Sequence, residues 1–113
     1  MDIKEQYEDL TQKLQNNLPL KAYPTKELVQ IFRDKRNPIT LNTELTISSF
    51  HNSGDISGIM CAVEENKENV LVCGLTFLVF KSSSPLYKAI IDYQRKRNKR
   101  IKQLQQINRF LNL

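Results

Sequence analysis

Residues 70–80 read Val-Leu-Val-Cys-Gly-Leu-Thr-Phe-Leu-Val-Phe, and this run decides the fold class. It is too short for a membrane span, which needs about 20 apolar residues, and Gly74 and Thr76 interrupt it. Its β-branched and aromatic residues are typical of a strand that is buried on both faces. At the edge of a sheet such a strand invites pairing with another chain. We therefore expect either helices on both faces or a sheet that continues across a dimer.

Two shorter stretches before this run alternate in polarity with the period of a β-strand. They lie at residues 45–50 and 59–63, and polar turn sequences at 51–55 and 65–69 separate the three segments. Short turns between such segments favour antiparallel hairpins. The sequence therefore predicts a three-stranded antiparallel β-meander over residues 43–80.

Apolar residues with helical spacing precede the meander. One helix is predicted over residues 1–18, ended by Pro19, and a second over residues 25–36, where Thr25 is the expected N-cap. The buried stripe of the first helix is expected to comprise Ile3, Tyr7, Leu10, Leu14 and Leu18.

A long helix is predicted after the meander, over residues 84–112. Ser84 is the expected N-cap, and Pro85 fits the first helical position because that residue needs no hydrogen-bonded N–H. The expected fold is a single α+β domain of residues 1–113 with the element order α-α-β-β-β-α.

Positive charge is concentrated in the last third of the chain. Residues 81–113 carry a net charge of +8 with Asp92 as their single acid, whereas residues 1–80 carry −3. On a helical wheel most of the basic side chains lie opposite the apolar stripe. An uncompensated basic stripe suggests a polyanionic partner, because a merely soluble helix mixes both signs. The residues expected to contact phosphates are Lys88, Arg95, Lys96, Lys99, Arg100, Lys102 and Arg109.

Arg97 interrupts the apolar stripe of this helix. We expect it to pair with an acid of the first helix and to mark where the last helix begins to overhang the domain, at about residue 97. The apolar positions beyond it have the spacing of a coiled-coil seam. The residues expected at a protein interface are Leu104 and Leu111 on this seam, and Val79 on the third strand.

The sequence predicts no enzyme. His51 has Asp55 and Ser49 nearby, but catalytic triads draw their members from distant segments, so a surface turn is expected. The stretch 54–58 has too few glycines for a phosphate-binding loop. One histidine and two cysteines fall short of the four ligands of a structural zinc site. Neither a metal nor a cofactor is expected.

The two cysteines lie in neighbouring predicted strands. If the second turn pairs Glu64 with Val70, Cys61 lies directly opposite Cys73, within the distance range of a disulfide. Two reduced, buried thiols are the favoured alternative, because the N-terminal residues 1–5 carry no secretory signal. A cytoplasmic location is expected. A protein that is encoded within an organelle would have the same sequence features.

The order α-β-β-β-α over about residues 24–100 resembles that of the double-stranded-RNA-binding domain and of the Alu-RNA-binding subunits of the signal recognition particle. The last helix of the former begins with a Lys-Lys-x-Ala-Lys pattern. Here it begins Ser84-Pro85-Leu86-Tyr87-Lys88-Ala89, which shares only Lys88-Ala89 with that pattern. The resemblance in order implies RNA as a ligand.

These observations lead to two hypotheses of function. The first is a small, non-enzymatic nucleic-acid-binding module that contacts phosphates through its basic helix, with RNA ahead of DNA. The alternative is an accessory or assembly subunit whose basic helix docks on an acidic protein surface. One form of this hypothesis has the subunit as a homodimer.

Overall fold

The computed structural model describes residues 2–33, 38–65 and 69–111, and these form an α+β fold with an antiparallel sheet. Residues 34–37 of the predicted second helix and 66–68 of the predicted second turn lie outside the described residues. The elements are α1 (Ile3–Gln15), β1 (Leu20–Pro24), α2 (Lys26–Ile31), β2 (Leu45–Asn52), α3 (Gly54–Ser57), β3 (Ile59–Glu65), β4 (Asn69–Gly74), a 3₁₀ turn (Leu75–Phe77), β5 (Leu78–Val79) and α4 (Tyr87–Leu111).

The sheet has five strands in the order β4-β3-β2-β1-β5, so the predicted three-stranded meander is wrong in detail. The run 70–80 is not one strand, because the 3₁₀ turn divides it and sends its end to the opposite edge of the sheet. In a flat sheet the edge strands would lie about 19 Å apart, at about 4.8 Å per strand. A 3₁₀ turn advances only about 2 Å per residue. The sheet is therefore strongly curled, which brings its two edges towards each other.

The strand β1 is absent from the predicted order and lies between the first two helices. Its residues alternate in burial, with Leu20, Ala22 and Pro24 buried, as a half-covered strand requires. It pairs with β2 through Leu20 and Ile47 and with β5 through Tyr23 and Val79. Prolines at both ends of this short segment favour the interpretation as a linker, and for this reason the sequence prediction omits it.

One face of the sheet, called the inner face, carries the core. Buried side chains of β2 and β3 on this face, including Ile47 and Val63, pack with Leu10 and Leu14 of α1 and with Ile90 of α4. The opposite, outer face is less covered. Val70 and Val72 of β4 are 62% and 65% exposed there, so the expectation of helices on both faces fails at β4.

The helix α4 begins at Tyr87, three residues later than predicted. Leu86 adopts a φ of 61°, in the left-handed region, so helical geometry cannot extend back through it. Ser84 and Pro85 therefore form a turn, in which the Tyr87 N–H donates to the Ser84 carbonyl. Among the described helices, α4 included, none is both long enough and apolar enough to cross a bilayer.

Candidate nucleic-acid interface

The helix α4 presents two opposite faces. Ile90, Tyr93 and Arg97 are buried against the domain. The exposed cations of α4 that lack an ion pair with any described acid are Lys88, Arg95, Lys99, Lys102 and Arg109. We call these five residues the basic stripe. At 3.6 residues per turn they fall within an arc of about 80°, and they extend over about 32 Å of helix.

Two of the predicted phosphate contacts are instead engaged within the chain. Lys96 Nζ lies 3.0 Å from a carboxylate oxygen of Asp92, one helical turn earlier. Arg100 binds Asp55, with its Nη2 2.5 Å from Oδ2 and its Nε 3.0 Å from Oδ1. Asp55 belongs to α3, the short helix between β2 and β3. Of the seven residues predicted to contact phosphates, the five of the basic stripe are therefore those without an ion pair to a described acid.

Arg97 is buried, with 3% of its surface exposed, and it fastens α4 to α3. Its guanidinium donates to the carbonyls of Asp55, at 2.5 Å, and Ile56, at 2.6 Å, and more weakly to the Tyr7 hydroxyl at 3.3 Å. The carboxylate of Asp55 lies 3.8 Å away. The expected pairing with an acid of the first helix is wrong, because the acid comes from α3 and α1 contributes Tyr7.

Asp55 is the anionic centre of this contact. The hydrogen bonds from Arg100 hold the pKa of its carboxyl below the usual value, against an opposing effect of desolvation. The same hydrogen bonds raise the pKa of Arg100. A bidentate arginine–carboxylate pair fixes orientation as well as distance. The azimuth of α4, and hence the direction in which the basic stripe points, is therefore set by α3.

Gly58 allows α4 to approach the start of β3 closely. Its φ of 72° and ψ of −153° belong to a region that is nearly exclusive to glycine. A Cβ there would lie 2.6 Å from the Tyr93 hydroxyl oxygen and 2.7 Å from Arg97 Nε. With glycine in place, the Ile59 N–H donates to the Tyr93 hydroxyl at 2.8 Å. Burial raises the pKa of Tyr93 to about 12, so this hydroxyl stays protonated.

Gln94 fastens the other flank of α4. Its side-chain amide donates to the carbonyls of Leu75, at 2.9 Å, and Leu78, at 2.7 Å, and so bonds both sides of the 3₁₀ turn. These bonds hold the Gln94 amide on the sheet, so α4 is held on both sides by side-chain hydrogen bonds.

The C-terminal part of α4 has less support from the domain. Leu104 is half-buried, whereas Ile107 and Leu111 are 50% and 74% exposed. Val79, the other residue expected at an interface, is 49% exposed and lies on β5. These side chains remain candidate interface residues on two separate elements.

The other residues considered for catalysis or metal binding lie in β2, α3, β3 and β4. His51 lies in β2 rather than in a turn, and the carboxylate of Asp55 is occupied by Arg100. Cys61 does lie directly opposite Cys73, as predicted, and both thiols are free and buried. Burial raises the pKa of both thiols, that of Cys73 to about 11. In the described ranges 2–33, 38–65 and 69–111, no group of three or more His, Cys, Asp or Glu residues could hold a metal ion.

Comparison with known proteins gives no match to any family model, curated protein or solved structure. The observed element order differs from the α-β-β-β-α order of the RNA-binding domains, because β1 and β5 add two strands at one side of the sheet. The cluster of Asp55, Arg97 and Arg100 was not foreseen. Its one sequence signal is an arginine in the middle of an apolar helical stripe.

Proposed function

We propose that this chain is a small, non-enzymatic nucleic-acid-binding module whose basic stripe contacts backbone phosphates. One observation carries the proposal: five exposed cations of one helix face have no acidic partner among the described residues. Two neighbouring cations of the same helix, Lys96 and Arg100, do have such partners. Crowding like charges on one face costs free energy unless an anion binds there.

The geometry of the stripe suits a phosphate backbone better than a single anion. Its cations are spread over about 32 Å of one helix, whereas a pocket for a free phosphate would converge them on one point. A duplex presents one negative charge per about 1.7 Å of its axis, so it can meet all five cations. Lysine and arginine contacts of this kind fix position without reading sequence. We therefore expect low sequence specificity, and RNA is the ligand to test first.

The mounting of α4 supports the same function. The buried Arg97 and the Asp55–Arg100 pair hold the helix azimuth before any ligand binds. Because the stripe does not have to be ordered on binding, less conformational entropy is lost. The stripe residues also point away from the core, so their substitution should leave the fold intact.

The test is a fluorescence-anisotropy titration of labelled double-stranded RNA, single-stranded RNA and duplex DNA at several salt concentrations. If all five cations neutralise phosphates, log Kd should change with log salt with a slope of about 4.5 for duplex DNA, and of about 3.5 for a single strand. Between 50 and 200 mM salt the duplex affinity should fall by roughly 500-fold. The order of the three affinities decides between RNA and DNA.

A matched pair of variants locates the site. Arg95→Glu/Lys99→Glu/Lys102→Glu removes the centre of the stripe and should abolish binding without loss of the circular dichroism signal. The control set is Lys4→Glu/Lys26→Glu/Arg33→Glu, which changes three exposed cations of the rest of the domain and lowers the net charge equally. It should retain most of the affinity. Equal losses in both triple variants would show that only net charge matters, and the assigned site would then be wrong.

Absence of binding to all three probes at low salt would contradict the proposed function. In that case the same stripe would be tested against acidic protein surfaces, which is the alternative hypothesis from the sequence.

A further inference from the structure

The edge strand β4 is open on the side away from β3. No backbone hydrogen bond outside the β3–β4 ladder reaches its residues among those the structure describes. An unpaired strand edge presents a row of N–H and C=O groups that can accept another strand. Natural edge strands are commonly protected by lysine, proline or a bulge. β4 reads Asn-Val-Leu-Val-Cys-Gly and has neither charge nor proline, and its register with β3 is regular.

The side chains of this edge are apolar where they meet solvent. Val70 and Val72 both point to the outer face and are 62% and 65% exposed. They pair across the ladder with Glu64 and Ala62 of β3. Two exposed valines on one face of an edge strand form a side-chain surface that is continuous with the unpaired backbone edge.

We propose that β4 pairs antiparallel with β4 of a second copy of this chain, to give one continuous ten-stranded sheet. A second copy is the partner that the sequence of the edge favours, because Val70 and Val72 flank Leu71 symmetrically and so meet the same valines of another copy across a two-fold axis. The net charge of +5 opposes association of two copies in general, so they must meet where neither presents a cation. The edge strand β4 itself carries no charged side chain, and the basic stripe belongs to a different element, α4.

Two-fold symmetry allows several registers, and the exposed valines favour one of them. Directly opposed residues of an antiparallel pair lie on the same face of the sheet. With the two-fold axis at Leu71, Val70 of each copy lies opposite Val72 of the other, and both valine pairs are on the outer face. Such an arrangement is isologous and closes at two subunits. The other edge strand, β5, has only two residues and offers a much shorter ladder.

This dimer would place both copies of α4 on the same side of the continuous sheet, because the two-fold axis is perpendicular to it. If the basic stripe binds nucleic acid as proposed above, the two stripes would face one ligand together. The dimer itself does not depend on that function and is tested in the absence of nucleic acid.

The experiment is size-exclusion chromatography with light scattering over a wide range of protein concentration. We expect the wild-type chain to reach twice its 13.2 kDa mass. Val72→Lys places a charge at the centre of the edge and should leave only monomer. Val79→Lys, which changes the exposed valine of β5, is the matched control and should remain dimeric. Thermal melts of both variants, followed by circular dichroism, verify that each is folded.

Hydrogen exchange on the wild-type chain gives a second test that needs no variant. The β4 amides should exchange more slowly as protein concentration rises, and the β5 amides should not. A monomeric mass at every concentration would overturn the proposal. So would a dimer that survives Val72→Lys, or one that Val79→Lys disrupts equally.

Discussion

Replacing Gly58 with alanine should be among the most destabilising single-methyl changes available in this chain. The backbone conformation at this position costs a non-glycine residue about 1–3 kcal/mol. The new Cβ would also lie 2.6 Å from the Tyr93 hydroxyl and 2.7 Å from Arg97 Nε. Overpacking of this kind typically costs about 1–3 kcal/mol. We expect a combined loss of about 2–6 kcal/mol, out of about 6–17 kcal/mol for a domain of this length.

The matched control for this change is Gly54→Ala. Gly54 also has a positive φ, of 81°, but a Cβ there would meet no atom within 4 Å. It should therefore cost only the backbone strain, about 1–2 kcal/mol. Urea unfolding followed by circular dichroism gives the free energy of unfolding of both variants. If Gly58→Ala is no more destabilising than Gly54→Ala, the close packing of α4 on the start of β3 is not tight, and the reasoning from this contact is refuted.

Three further predictions concern Arg97, Asp55 and the two cysteines. Arg97→Met removes two short hydrogen bonds to backbone carbonyls and should lower the free energy of unfolding by about 2–4 kcal/mol. Arg97→Lys should lower it by less. A loss below about 1 kcal/mol for Arg97→Met, measured by urea unfolding, would contradict this prediction. The pKa of Asp55 is lowered, so its contribution to stability should be complete above the unfolded pKa of about 3.9 and lost as pH falls through the lower folded value. Asp55→Asn should reduce the acid dependence of the melting temperature, and an unchanged profile would count against this role. Cys61 and Cys73 should not react with a thiol reagent at pH 8 in the folded protein and should react fully in urea, since burial raises the pKa of both thiols.

The sequence predicted those features that local periodicity determines. The burial of Tyr7, Leu10 and Leu14 on α1 and the antiparallel α+β class follow from spacing and turn length, whereas Ile3 of the predicted stripe is 37% exposed and Leu18 lies beyond the end of α1. The register that places Cys61 opposite Cys73 is the one that the sequence prediction stated as a condition, with Glu64 paired to Val70. Each of these rests on interactions between residues that are close in the chain. Local patterns also showed that the basic side chains of α4 lie opposite its apolar side chains.

The features that were not predicted depend on distant segments. The strand β1 exists because β2 and β5 supply its hydrogen-bond partners, and nothing in its five residues specifies them. In residues 70–80 only Gly74 and Thr76 interrupt the apolar run, and although the 3₁₀ turn lies at these residues, they do not by themselves specify a change of strand partner. The partner of Arg97 was sought on α1 because that helix is rich in acids. It came from α3, since the geometry of the β2–β3 connection places Asp55 beside α4.

The curl of the sheet has a consequence for how fast the chain can fold. The hairpins β2–β3 and β3–β4 join residues close in sequence, so they can form early. The pair β1–β5, by contrast, joins Tyr23 to Val79 and closes a loop of more than fifty residues. Closing such a loop costs conformational entropy before the contact between the strands contributes favourable free energy. Chains with many contacts between distant residues therefore fold slowly. We therefore expect closure of the β1–β5 seam to be a late event, which leaves both sheet edges exposed to other chains during synthesis.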